Sequence, residues 1–332
     1  VVFSAKAALW RLGISGERTP ERLPFVGEDG VMPIVSGPQP DRPVRLAYVR
    51  SFADANIWRI DTSSPGLPAS APPVVAITST RRDAIAHVAP NGHQVAFTST
   101  RSGENEVWRA DASGGGAVQL TFMARNPGWP RWSPDGSAIA FHSNPEGNGD
   151  IIVVGPAGGK PQNLTSHQAN DTFPTYSHDG RWIYFGSTRS GQPMIWKIPS
   201  SGGTAVQVSA GLGLMAIESP DGSYLYYVES PVTNSPGPLW RIPVAGGNAV
   251  KITDGVNSTS FDVIDGGIYY LERSSGEARL QFFDLATRET TTVAGNLGNV
   301  DFGLSASPDG RAIFFSRVDS SVNDLMLVED FR

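Results

Sequence analysis

Five histidines, His87, His93, His142, His167 and His178, are the side chains of this sequence best suited to hold a transition metal, since neutral imidazole is the commonest ligand for such ions. Their spacing offers little support. No two form a His-x-x-x-His pair, and cysteine is absent, which excludes thiolate metal sites, disulfides and a cysteine nucleophile. His87, His142 and His167 are expected on one face of the fold and are the weak candidates for a metal; no cofactor is expected. Acid–base chemistry would need two carboxylates at a set separation, and Asp83, Asp171 and Glu218 come from distant segments. A Gly-x-Ser-x-Gly nucleophile elbow is missing, so hydrolase chemistry of that type is excluded within this sequence. Binding chemistry is better represented. Arg82, Asp83 and His87, then Arg125, Asn126 and Trp129, then His167, Asn170, Asp171 and Phe173, then Met215 and Glu218, and finally Asn257, Asn299 and Asp301 recur at regular intervals. Asn and Asp would supply hydrogen bonds, and Trp129 or Phe173 a stacking face, to a protein segment or a small polar ligand.

What must position these residues is a repeat. A turn ending in glycine returns at Asn91-Gly92, Asp135-Gly136, Asp179-Gly180, Asp221-Gly222, Asp265-Gly266 and Asp309-Gly310, at intervals of 44, 44, 42, 44 and 44. Each period fits one four-stranded propeller blade. In residues 172–209 the template is clearest: strand a at 173–177, the Asp-Gly turn, strand b at 182–186, strand c at 193–198, a Gly202-Gly203 turn, and strand d at 205–209. Glycine turns supply the positive φ that tight hairpins need, and the residues between them are β-branched or aromatic. Trp108, Trp196 and Trp240 share the strand-c position, with Trp10 and Trp58 extending the series backwards; rings repeated at one strand position point to packing between blades rather than to ligand stacking.

The expected architecture is therefore all-β, a single propeller domain over residues 1–332. Strand counting gives six complete blades over 31–294, and residues 1–30 close the ring with 298–332 in a composite seventh blade; eight or six blades are the alternatives. Sharing a blade between the two ends hides sheet edges. The charge balance of 26 basic to 32 acidic residues, net −6, lacks a basic stripe with interleaved aromatics, so no direct nucleic-acid contact is expected. No apolar run reaches the roughly 18–20 residues that span a bilayer, so no membrane insertion is expected. The start at Val1-Val2-Phe3, inside what reads as a strand, points to a piece of a longer polypeptide, and the composition leaves a periplasmic or a cytoplasmic setting open.

The segments Trp132-Ser133-Pro134-Asp135-Gly136, Thr98-Ser99-Thr100-Arg101-Ser102-Gly103 and Phe185-Gly186-Ser187-Thr188-Arg189-Ser190-Gly191 resemble the WD-like repeat of TolB-type propellers, most closely over residues 85–253. The resemblance implies the fold. It also implies company: similar repeats occur in the periplasmic Tol-Pal component, in serine peptidases, in certain lyases, and at the C-terminus of bacterial winged-helix regulators, which the chain resembles most in running directly into its repeats. With no nucleophile, phosphate loop or clear metal cluster in the sequence, the expected function is noncatalytic binding or sensing in a larger bacterial protein, with a metal-dependent propeller lyase or lactonase as the alternative. In a propeller, strand a borders the central shaft, and the d-to-a and b-to-c loops share the upper face, where loop variety concentrates ligand contacts. The expected site at the upper shaft mouth is Arg82, Asp83, His87, Arg125, Asn126, Trp129, Asn170, Asp171, Phe173 and Glu218, with Trp129 and Asp171 foremost. Arg101 and Arg189, repeated in equivalent b-to-c loops, are expected to pair with an acid in the next blade, and the Asp-Gly carboxylates to serve as turn formers.

Overall fold

The computed structural model describes residues 1–5, 8–12, 19–23, 30–36, 44–144, 147–274, 277–329 and 331, and among these every regular element is a strand. Two compact units result: Val1–Asp54 with Asp319–Arg332, and Ala55–Val318.

Within Ala55–Val318 the described strands form six four-stranded antiparallel sheets. Blade 1 consists of Asp83–Val88, Gln94–Ser99, Glu106–Asp111 and Val118–Gln119; blade 2 of Gly128–Trp132, Ile139–Ser143, Asp150–Gly155 and Gly158–Asn163. Blade 3 is Asp171–Tyr176, Trp182–Ser187, Met194–Pro199 and Val206–Leu212, and blade 4 is Ala216–Glu218, Tyr224–Val228, Pro236–Pro243 and Val250–Asn257. Blade 5 is Phe261–Ile264, Gly267–Ser274, Glu277–Asp284 and Thr290–Ala294. Blade 6 is composite: Val300–Ala306 and the first part of Ala312–Val328 pair onward to the last part of Leu46–Asp61 and to Val74–Ile77. First strands of successive blades touch in a closed cycle, blade 6 against blade 1 included, so each borders a central shaft.

Seven blades were expected first and six as an alternative; the ring of Ala55–Val318 has six. The difference lies in two long strands. Residues 45–50 and the region of Trp58 read as separate strands, yet Leu46–Asp61 is continuous, and so is Ala312–Val328, which also read as two. Neither linking segment, 51–55 or 317–324, contains the Gly or Pro that would turn the chain. The described residues among 1–25, expected to complete a blade of the ring with the C-terminal strands, supply a three-stranded sheet of their own, Val2–Ala5, Ala8–Arg11 and Glu21–Arg22. The expected strands 9–14 and 21–25 run partly outside the described residues. That first unit has its own small core of Leu9, Leu23, Leu46 and Tyr48, with Met326 and Val328 packed on it.

The core of the propeller is distributed. A hydrophobic cluster lies at each of the six blade interfaces, from Phe97 and Ile57 between blades 6 and 1 to Leu280 and Phe315 between blades 5 and 6. Fully burying one such Phe or Leu contributes about 1.5–3 kcal/mol. Strand-c tryptophans Trp108, Trp196, Trp240 and Trp58 pack on these clusters, as their repetition suggested. Turn-forming is equally local. In the Ser-x-Asp-Gly turns, Ser133, Ser177, Ser219 and Ser307 donate to Asp135, Asp179, Asp221 and Asp309 at 2.6, 2.7, 2.5 and 2.5 Å. Hydrogen bonds from Ser133 and the Ser137 amide hold the Asp135 carboxyl down at about 2, and Ser177 and the Arg181 amide do the same for Asp179.

Candidate functional site

Antiparallel register identifies one equivalent residue on each innermost strand: His87 opposite Ala96, Arg131 opposite Ala140, Thr175 opposite Tyr184, Ile217 opposite Tyr226, Asp262 opposite Tyr269, and Ser305 opposite Phe314. Together they form a layer around the shaft. Four of the six hold the ring together by bonding to the backbone of the next blade. His87 Nδ1 accepts from the Trp132 amide at 3.0 Å, Asp262 Oδ2 from the Ala306 amide at 2.8 Å, and Ser305 Oγ from the Val88 amide at 3.1 Å, while the Thr175 hydroxyl donates to the Ala216 carbonyl. Ile217 is apolar. Arg131, only 4% exposed, departs from the pattern: its Nη2 passes over blade 3 and reaches the thioether of Met215, at the start of blade 4, 3.4 Å away.

Burial holds the Arg131 guanidinium below its ordinary range, with Asp262 pulling the other way; burial pushes Asp262 up, with Arg131 and the Ala306 and Val263 amides opposing. His87 is driven well below the usual imidazole range by burial and then by Arg131. The layer thus sets an arginine, an aspartate whose oxygens already accept backbone amides, and a histidine held below its usual range in one ring.

Two residues before this layer, the first strands of blades 1, 2 and 3 bulge through Ile85, Trp129 and Phe173 at φ of 58, 52 and 55°. Side chains other than glycine pay for this left-handed backbone with strain, most of all β-branched Ile85. At the matching point of blade 6 stands Gly303, φ 88°, where an added Cβ would come within 2.9 Å of the Ile85 Cα. The bulges aim rings at one another. Trp129 stacks on His142 with centroids 5.5 Å apart, and meets Phe173 at 4.6 Å and Phe302 of blade 6 at 5.6 Å, edge-on. His142 Nδ1 accepts from the Phe173 amide at 3.3 Å, and burial lowers its pKa to about 4.

The expected site residues separate into groups. Trp129 and Phe173 come together in this aromatic cluster. Asp83 and Asp171 are fully buried, and each faces an arginine: Arg101 at 2.9 Å and Arg189 at 2.6 Å. Those arginines were expected to reach an acid in the next blade; both pair within their own. The b-to-c loop folds back over its sheet, whose register sets Asp83 opposite Ser99 and Asp171 opposite Ser187. Arg101 lies 5.3 and 5.1 Å from the ring centroids of Phe97 and Trp108, and Arg189 lies 5.3 and 4.8 Å from those of Phe185 and Trp196. Arg82 bonds Asp301 at 2.8 Å, joining blades 1 and 6. Asn170 accepts from the Gly149 amide, and Asn126 from Asn105. Glu218 stands apart from the mouth, at the Asp-Gly-turn end of its strand, where it accepts from the His178 amide at 3.1 Å and the Tyr184 hydroxyl at 2.7 Å. His167 Nδ1 takes the Ala169 amide, and among the described residues no three His, Cys, Asp or Glu side chains are grouped to hold a metal.

Exposure singles out one loop. Residues 121–127, leading into blade 2, carry Phe122, which is 79% exposed, and the exposed Arg125 and Asn126. Buried Glu106 fixes the loop from beneath, accepting from the Thr121 hydroxyl and, at 2.7 Å, from the Ala124 amide. A cleft of about 380 Å³ also opens on the turn face, lined by Arg59, Asp61, Asn91, His93, Asp309 and Arg311, on the face that the short uniform turns gave no reason to favour.

Sequence reasoning missed Arg131, Asp262, Glu106, Phe122 and Phe302. For Arg131 a signal existed, because His87, Arg131, Thr175 and Ser305 each lie four residues before an Asn-Gly or Asp-Gly turn.

Residues 125–234 match the family model for the TolB beta propeller domain. The fold is a TolB-like β-propeller. The propeller is similar to a putative TolB from Agrobacterium tumefaciens at a TM-score of 0.66 and 19% identity, over 81% of this chain and 99% of that one. TolB from Acinetobacter baumannii aligns at a TM-score of 0.56 and 15% identity, over 90% of this chain and 82% of that one. A chain of a nidogen/laminin complex aligns at 0.57 and 13%, over 80% and 99%. No curated protein matches the sequence.

Proposed function

We propose that the propeller is a noncatalytic binding module that engages a protein segment at its upper face, beside the shaft mouth. The observation that carries this reading is Phe122, a large apolar side chain held in water on a loop anchored by a buried carboxylate. Isolated exposed apolar residues are common, but this one has a fixed backbone: Ala124 and Asn126 beside it hold φ of 50 and 52°. A preset loop loses little entropy on binding, and an aromatic anchor flanked by Arg125 and Asn126 suits an extended segment that offers an apolar side chain and backbone hydrogen bonds. Resemblance to propellers that accompany other bacterial domains supports placing the module in a larger sensing protein.

The test is a peptide-library screen with affinities measured for the native chain and for Phe122→Ala. A set of binders whose affinity drops about tenfold or more in the variant supports the reading. Absence of binders, or binders indifferent to Phe122, Arg125 and Trp129, sinks it.

A further inference from the structure

Every other polar member of the shaft layer has an evident structural task, and Arg131 does not. Guanidinium stays charged under protein conditions, so a buried one needs acceptors that replace its water. Arg131 offers five N–H donors, and its only hydrogen-bond partner among the described residues is a thioether sulfur, a weak acceptor. Asp262 lowers the cost of the charge through space, but its Oδ1 and Oδ2 take the Val263 and Ala306 amides at 3.0 and 2.8 Å, and the two side chains form no ion pair. Nearby His87 adds a second donor. Its Nδ1 accepts from the Trp132 amide, which leaves the proton of the neutral ring on Nε2, where it meets no acceptor among the described residues. The position itself was open to a simpler residue, since Thr and Ser in the same layer complete the ring.

We propose that Arg131 anchors a carboxylate-binding site inside the shaft, taking either a free monocarboxylate or the carboxylate of a peptide entering by the mouth. The guanidinium fork matches a planar carboxylate with two parallel hydrogen bonds. Asp262 restricts the charge the site accepts: with Arg131 and Asp262 a monocarboxylate leaves the set at net −1, offset in part by the amides on Asp262, whereas a dianion would leave −2 and meet stronger repulsion. The peptide form of the ligand rests on the reading of the mouth as a binding face; the free form does not.

The experiment is calorimetric titration and thermal unfolding of the full chain with sodium acetate against sodium chloride at matched ionic strength, then with a mouth-binding peptide bearing a free or an amidated C-terminus. Acetate should bind saturably and raise the melting temperature. Arg131→Lys, which keeps the charge but loses the fork, should weaken acetate about tenfold. The double variant Arg131→Met with Asp262→Asn, which removes both buried charges and so guards against a merely unfolded single variant, should not respond. No saturable response in the native chain, or an unchanged response in the double variant, overturns the proposal. Peptides that bind through Phe122 yet ignore both Arg131→Lys and C-terminal amidation overturn its peptide form and leave the mouth reading intact; acetate binding through Arg131 without any peptide binder does the reverse.

Discussion

Two kinds of arginine reach buried ground in this propeller, partly exposed Arg101 and Arg189 and buried Arg131, and the contrast between them separates architecture from a site. Arg101 and Arg189 in the b-to-c loops each face a buried carboxylate and two aromatic rings, an arrangement repeated in blades 1 and 3. Arg131 in the shaft has a sulfur atom. Repetition marks the first kind as a device of the fold, as a polar group used identically in several blades must be. The second occurs once, at a position where four of its five counterparts in other blades close the ring.

The largest effect should come from breaking a completed pair. Arg189→Leu leaves Asp171 fully buried without its partner and should cost about 3–5 kcal/mol in chemical denaturation. The double variant Arg131→Met with Asp262→Asn removes two buried charges that form no ion pair, and should change stability by about 1 kcal/mol or less. Equal losses at both positions would erase the contrast.

Histidines sharpen it next. Burial takes His142 to about 4 in the folded chain, below its unfolded value near 6.5, so the unfolded chain binds the extra proton first. Stability from this group is present above about pH 6.5 and should fall by roughly 3 kcal/mol as the pH drops to about 4. Urea denaturation across that range should show the slope, and His142→Phe should flatten it. Because the Arg131 charge adds to burial in lowering His87, Arg131→Met should raise the His87 midpoint in an NMR titration, whereas Arg189→Leu should leave it in place.

The smallest stability effect is expected where function is proposed. Phe122→Ala, at an exposed loop, should shift unfolding by no more than about 0.5 kcal/mol while removing peptide affinity. A large destabilisation would make Phe122 part of the core and deprive the proposed binding face of its anchor.

Much of the fold was legible because the periodic residues act locally. Asp-Gly turns, strand-c tryptophans and the blade template report hairpins and packing that a short window contains. Blade number was harder to read, since it depends on whether two strand segments join; 51–55 and 317–324 lack a turn signal, and the joined strands leave six blades. The site was less legible still. Asp83 and Asp171 stand at the mouth in sequence order but are buried by arginines eighteen residues away, a relation set by cross-strand register. Trp129 and Phe173 were picked out because strand a opens beside the shaft, and the structure sets their rings edge-on to each other, with Trp129 stacked on His142 and edge-on to Phe302. Arg131 lay inside the repeat logic and was hidden by it, two residues beyond a more conspicuous tryptophan.

Side-chain guanidinium NMR tests the central claim most directly, because it observes the three arginines at once. On titration with acetate at constant ionic strength, the Arg131 Nε–H resonance should move saturably while those of Arg101 and Arg189 stay fixed. A stationary Arg131 signal, or three signals drifting together, would contradict the claim that the shaft arginine alone is free to bind.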